Sequence, residues 1–201
     1  MVNSARPILD AGPGLNFMSV NQERLLFKVT GRLQAPETVV SEMEHKASKD
    51  ARFSASQNVL NKVKGDYLSI LSDQSSPELN AAVYRICGFP LEVRRHSPKD
   101  LGEIMVIAHA AVLAENGLDV TVIIDDGSGR RLALQEQRRL VRLKMQGRQC
   151  GGITLLSTVG ILHAAKKRQL IEPAQLKVLY LRMKRLDDGL LPFEKTTLND
   201  S

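Results

Sequence analysis

Short apolar runs alternate along this chain with longer segments of helical period, and the alternation sets out most of the elements. Pro7-Ile8-Leu9 before Asp10 predicts a brief strand, closed by an Ala11-Gly12-Pro13-Gly14 turn. Residues 21–32 have the 3.6-residue period, with Leu25, Leu26 and Val29 on one side. Leu33 to Pro36 predicts a second short strand, and Glu37 to Lys49 a helix entered through Pro36. Residues 50–96 are the least legible. They predict a helix from Pro77 to Cys87 and a strand from Leu91 to Arg94. Beyond them the pattern sharpens. Residues 100–116 form an apolar helix stopped by Gly117, and Asp119 to Ile124 is a β-branched run suited to a buried strand. A basic helix follows from Ser128 to Gln146, then a strand from Gly152 to Leu155, then helices over Thr158–Arg168 and Pro173–Leu186. Strands alternating with helices across short connections predict an α/β domain built on a parallel sheet. One domain is expected over residues 1–190, with 50–95 as a helical insertion and 191–201 as a loose tail.

Composition narrows the class. Apolar residues are 43% and charged residues 25% of the 201, ordinary for a globular protein, which excludes disordered and collagen-like chains. No apolar stretch approaches a membrane span or the core of a signal peptide, so a cytoplasmic protein with no membrane partner is expected. Cys87 and Cys150 stand alone, and no two of the four His have zinc-ligand spacing. Neither a nucleotide-binding glycine loop nor a Gly-x-Ser-x-Gly elbow occurs.

Charge becomes informative once located. The net charge is +6, and residues 128–148 alone carry seven Arg or Lys against the single acid Glu136. On a helix over these residues Arg131, Arg138 and Arg142 share a stripe, beside an apolar stripe of Leu134, Val141 and Met145 expected to pack inward. Guanidinium forks suit phosphate, so a nucleic-acid backbone is a natural partner for the three arginines. Aromatics are only 4% and Trp is absent, which argues against a base-stacking platform.

Ligands of parallel α/β sheets sit beyond the carboxyl ends of the strands. Asp10 ends the first predicted strand, and Asp125 and Asp126 end the Val120–Ile124 run. Clustered carboxylates repel unless a cation neutralises them, and an all-oxygen set suits Mg²⁺ or Mn²⁺. Asp beside Gly is also common turn and cap chemistry, so position alone does not separate the two roles. Glu103 follows Asp100 at capping-box spacing. In a continuous strand Asp125 and Asp126 would point to opposite faces.

Five segments together resemble the PIN-domain ribonucleases, in the family's order. They are Ile8-Leu9-Asp10-Ala11-Gly12-Pro13-Gly14, Ala35-Pro36-Glu37 through Glu42-Met43, Asp100-Leu101-Gly102-Glu103, Val122-Ile123-Ile124-Asp125-Asp126 with Arg130-Arg131, and Gly152-Ile153-Thr154 through Leu162. The resemblance covers 8–43 and 100–171 and is closest to a branch related to VapC-type toxins. It implies a three-layer α/β/α sandwich and Mg²⁺- or Mn²⁺-dependent hydrolysis of RNA phosphodiesters. Asp10, Glu42, Glu103, Asp125 and Asp126 become the catalytic acids, and Asp10, Glu103, Asp125 and Asp126 the metal ligands. RNA is the implied substrate, a small antitoxin an implied partner, and a second copy in a homodimer another. The chain departs from the wider family in having Glu rather than Asp at 103 and no Thr or Ser before its last acid. The alternative is a catalytically silent PIN-like module that binds RNA or protein.

Overall fold

The computed structural model describes residues 3–97 and 99–198. Five strands, β1 (Ile8–Leu9), β2 (Leu33–Pro36), β3 (Leu68–Leu71), β4 (Val120–Ile123) and β5 (Ile153–Leu156), form one sheet in the order β3-β2-β1-β4-β5. Every pairing is parallel, with Ile8 opposite both Gln34 and Val122, and Val120 opposite Ile153. Helices flank the sheet, giving the expected α/β/α sandwich. Among the described residues no helix is long and apolar enough to cross a membrane.

The chain steps outward through β1, β2 and β3, then returns to lay β4 and β5 on the other side of β1. The direction reverses between β1 and β4. A crevice opens at such a switch point, beyond the carboxyl ends of the strands. Asp10 leaves β1 there and Asp125 leaves β4.

The helices are α1 (Ala11–Ser19), α2 (Glu23–Thr30), α3 (Glu37–Lys49), α4 (Ser54–Val63), α5 (Pro77–Cys87), α6 (Leu91–Arg95), α7 (Leu101–Glu115), α8 (Gly127–Met145), α9 (Thr158–Lys167) and α10 (Pro173–Leu186). Helix α7 is apolar all round because both its sides are covered. Val106, Ala110 and Ala114 join the main core, while Ile104, Met105 and Ala108 meet Leu79, Val83 and Leu91 of α5 and α6 in a second cluster.

Several elements differ from the pattern reading. Ala11-Gly12-Pro13-Gly14 is the first turn of α1, not a loop. Pro13 is tolerated because N–H groups there have no intrahelical acceptor, and Gly14 lets α1 approach α3, since a Cβ would lie 2.7 Å from Met43 Cε. Residues 91–94 are helical rather than extended, with Pro90 just ahead of the first turn and Val93 exposed. Two apolar residues in alternation cannot distinguish the two states. The 50–95 segment is more than a helical insertion, because it supplies the edge strand β3. The expected loose tail is packed as far as it is described. Phe193 and Leu198 are buried, the Phe193 ring lies 5.8 Å from that of Tyr180, and the Tyr180 hydroxyl donates to the Leu191 carbonyl at 2.7 Å. Residues 199–201 of that segment lie outside the described residues.

The basic helix is also turned differently. Leu134, Val141 and Met145, expected to pack inward, are 40%, 48% and 83% exposed. The buried stripe is Gly129, Ala133, Glu136 and Leu140. A buried glutamate is acceptable here because Arg85 of α5 and Arg139 of α8 bind both its oxygens, at 3.1 and 2.8 Å, and Glu115 of α7 closes the network onto the same arginines. Burial of Glu136 thus depends on partners from other elements.

Two aspartates fasten the carboxyl edge of the sheet by one device. Asp73, just past β3, accepts from the Thr38 N–H at 2.7 Å and its hydroxyl at 2.6 Å at the start of α3. Asp125, just past β4, does the same for Thr158 at the start of α9, at 2.8 and 2.5 Å. His109 of α7 places Nε2 2.9 Å from Asp73. Burial alone would raise Asp73, but the bonds from His109 and Thr38 outweigh it and hold the carboxyl below its usual value.

Candidate active site

Asp10, Glu42, Glu103, Asp125 and Asp126 all line one pocket of about 630 Å³ at the switch point. Asp10 arrives from β1 with an extended backbone that opens α1. Glu42 comes from the second turn of α3, Glu103 from the first turn of α7, and the aspartate pair from the β4–α8 connection. Strand β4 ends at Ile123, so the alternation of faces no longer applies at 125 and 126, and both residues line the pocket.

The sequence reading missed further lining residues. Asp187, after α10, joins the pocket and is held by buried Asn16 of α1, whose Nδ2 donates at 2.8 Å. The other side-chain atom of Asn16, Oδ1, is buried without a partner. No motif marks Asp187, which sits 61 positions beyond Asp126 and reaches the site only through the packing of α10 on α1. Lys46 and Lys99 supply the positive charge at the rim. Lys46 pairs with Glu42 at 2.7 Å across one helical turn.

Crowding of carboxylates is visible in their protonation. Burial, then the charges of Glu42 and Glu103, push the Asp10 carboxyl up to about 7, against the pull of the Ala11 and Gly12 N–H groups. Burial also raises Glu103, with Asp126 and Asp100 adding to it. Asp125 is raised by burial in spite of its Thr158 bonds, and Asp187 adds to the shift. Asp126 moves the other way. Burial opposes ionisation there, but bonds from Ser128 and Gly129 at the start of α8 dominate and hold its carboxyl low.

The expected capping box at the start of α7 does not form. Asp100 has a left-handed backbone (φ 59°) and makes no side-chain cap bond. Glu103 instead accepts from the Ser128 hydroxyl at 2.8 Å, and the same hydroxyl contacts Asp126. One hydroxyl carries one proton. The trio is satisfied when one of the two carboxylates carries a proton, or when a cation stands among the oxygens. Ser128 and Thr158 also put two hydroxyls on site acids, although no Ser or Thr precedes the last acid in sequence.

Gly102 has a specific role. A Cβ there would lie 2.7 Å from Glu42 Oε2, so the glycine lets the Glu42 carboxylate rest against α7. Gly102→Ala should leave stability within about 1 kcal/mol, because the obstructed atom is the end of a flexible side chain. If Glu42 acts in the pocket, the same variant weakens that action, which parallel thermal melts and activity assays can separate.

Whether the pocket suits a metal can be judged from its donors. They are all oxygen, as hard divalent cations require, and the buried Asp10 carboxyl carries a like-charge penalty that a cation would relieve. In the positions observed, no three His, Cys, Asp or Glu side chains among the described residues are arranged around one point where an ion would sit. Asp125 is turned to Thr158 and Asp126 to the start of α8. The chemistry fits; tight coordination would need side-chain rotation.

The arginines of α8 lie outside this pocket. Arg131, Arg138 and Arg142 are exposed, and Arg131 Nη1 lies 3.5 Å from where a Cβ of the pocket-lining Gly127 would stand. At 1.5 Å per residue the other two follow at about 10 and 16 Å along the helix. Comparison of the chain with protein-family models, with curated proteins and with solved structures finds no match.

Proposed function

We propose that this chain is a PIN-type endoribonuclease that uses Mg²⁺ or Mn²⁺ to hydrolyse RNA phosphodiester bonds. The observation that carries this reading is the meeting of Asp10, Glu42, Glu103, Asp125 and Asp126 in one pocket at the topological switch point. Asp10, Glu103 and the Asp125–Asp126 pair would hold the cation. Bound there, it would polarise the phosphate and make an attacking water more acidic. Glu42, held by Lys46, completes the cluster or orients that water. Lys46 and Lys99 also line the pocket and would supply positive charge to a phosphate there. Arg131, Arg138 and Arg142 continue the positive track along α8 for the flanking strand. As a toxin, the chain would have a small antitoxin as its protein partner.

The direct test is incubation of end-labelled single-stranded RNA with purified protein and Mn²⁺. Internal cleavage that EDTA stops and added Mn²⁺ restores is the expected result. Intact RNA at saturating Mn²⁺ and Mg²⁺ would overturn the nuclease reading.

One observation favours a second reading, a PIN-like module that binds RNA or protein without cutting. Asp125 repeats the purely structural clamp that Asp73 makes, and Asp126 is an N-cap. In that case RNA binding persists through the α8 arginines and does not depend on Mn²⁺.

A further inference from the structure

Beside the carboxylates lies a second pocket of about 400 Å³ with a different lining. We propose that it takes a nucleobase of the RNA strand, next to the phosphate held at the acids, with Phe89 as its stacking face. This rests on the nuclease reading and adds a base-binding subsite to it.

Continuity fixes the occupant. Asp100 and Glu103 line both pockets, and Ser128, bonded to Glu103, lines the second. Carboxylates repel an anion, so a phosphate enters the first pocket only with the cation of the proposed reaction, and a ligand spanning both pockets then joins an anionic group to an apolar one. A nucleotide does: its phosphate faces the carboxylate pocket and its base the apolar one. The walls suit a flat ring. Ile86, Ile104 and Leu132 belong to the apolar packing around α5 and α7, and Phe89, 57% exposed, lines the same pocket. An exposed ring against an apolar wall is a stacking position that tolerates any base, since every base has a π-face.

The pocket is built in advance. Gly88 ends α5 in the left-handed conformation (φ 76°) and Pro90 precedes α6, which places Phe89 at the corner between the two helices. Arg94 donates to the carbonyls of Ser97 and Lys99, fastening the approach to Asp100. Scarcity of aromatics in the chain fits one such position rather than a platform.

The test compares wild type and Phe89→Ala on two oligonucleotides, one intact and one abasic at the nucleotides flanking the mapped cleavage point. On intact RNA the variant should show KM raised about 5- to 100-fold with kcat changed much less. Wild type should lose a similar factor on the abasic strand, where Phe89→Ala adds nothing further, and Phe89→Trp should restore the intact-strand KM. Equal kcat/KM for wild type and Phe89→Ala, or an equal loss on both strands, overturns the subsite. If wild type cuts neither strand, the nuclease reading fails by itself. Fluorescence anisotropy with an intact strand and a fully abasic strand of the same length then judges the pocket: weaker binding of Phe89→Ala to the intact strand alone supports it, and equal binding overturns it.

Discussion

Asp10→Asn should make the metal-free protein more stable at pH 8 and, if the nuclease reading holds, inactive in the same preparation. The carboxyl of Asp10 is raised from 3.8 to about 7 by burial and by Glu42 and Glu103. A folded state with the higher value binds more protons than the unfolded chain between those limits. Its stability therefore falls as pH rises from about 4 to 7, and the full penalty remains above 7. Three units correspond to about 4 kcal/mol as an upper bound, and relaxation of the side chain leaves roughly 1–3 kcal/mol. Asn has no charge to bury. The variant should melt several degrees above wild type at pH 8, at about 2–4 °C per kcal/mol, and together with it near pH 4. Mn²⁺ should reverse the order at pH 8, because a ligand of the folded state stabilises only the protein that binds it. Calorimetric scans at both pH values, with and without Mn²⁺, check each element. An Asn variant less stable than wild type at pH 8 would contradict the crowding of acids around Asp10.

Glu136→Gln should cause the largest loss of stability, at a position remote from the proposed chemistry. Glu136 is the one acid of the basic 128–148 block and lies buried between Arg85 and Arg139. Glutamine keeps the shape but removes the charge, leaving Glu115 alone to balance two partly buried guanidinium groups. Removing one member of a buried pair costs about 3–5 kcal/mol, on the order of 10 °C for a chain of this length. Urea unfolding should show a lower midpoint with an unchanged slope. Mn²⁺ affinity should stay at the wild-type value, because the network joins α5, α7 and α8 away from the pocket. A loss under about 1 kcal/mol would show that the ion pairs contribute little beyond shape.

The parallel α/β architecture was legible because strands buried on both faces read as apolar runs, and Val120–Ile123 has little other use. Asp10, Asp125 and Asp126 were legible as candidates because each ends such a run. Strand β3 was not, since Leu68-Ser69-Ile70-Leu71 is an edge strand whose Ile70 is half exposed, and its pairing with β2 is non-local. The buried side of α8 was misread for a related reason. Leu134, Val141 and Met145 look like a core stripe by hydrophobicity alone, whereas the packed stripe holds Glu136, neutralised by an arginine 51 positions earlier in sequence. Asp187 and Asn16 escaped because they meet across 171 residues and match no spacing rule. Glu103 shows a local rule losing to tertiary geometry. Its capping-box spacing was sound, but Asp100 takes a left-handed backbone and Glu103 turns to Ser128.

Titration calorimetry with Mn²⁺ at pH 7.5, on wild type and Asp10→Asn side by side, bears most directly on the pocket as a metal-dependent active site. Wild type should bind the ion and release protons, because the Asp10 carboxyl, pushed up to about 7, is still partly protonated near that pH. Asp10→Asn should show no saturable binding. Absence of binding by wild type, or equal binding by the two proteins, would contradict a metal site built on Asp10.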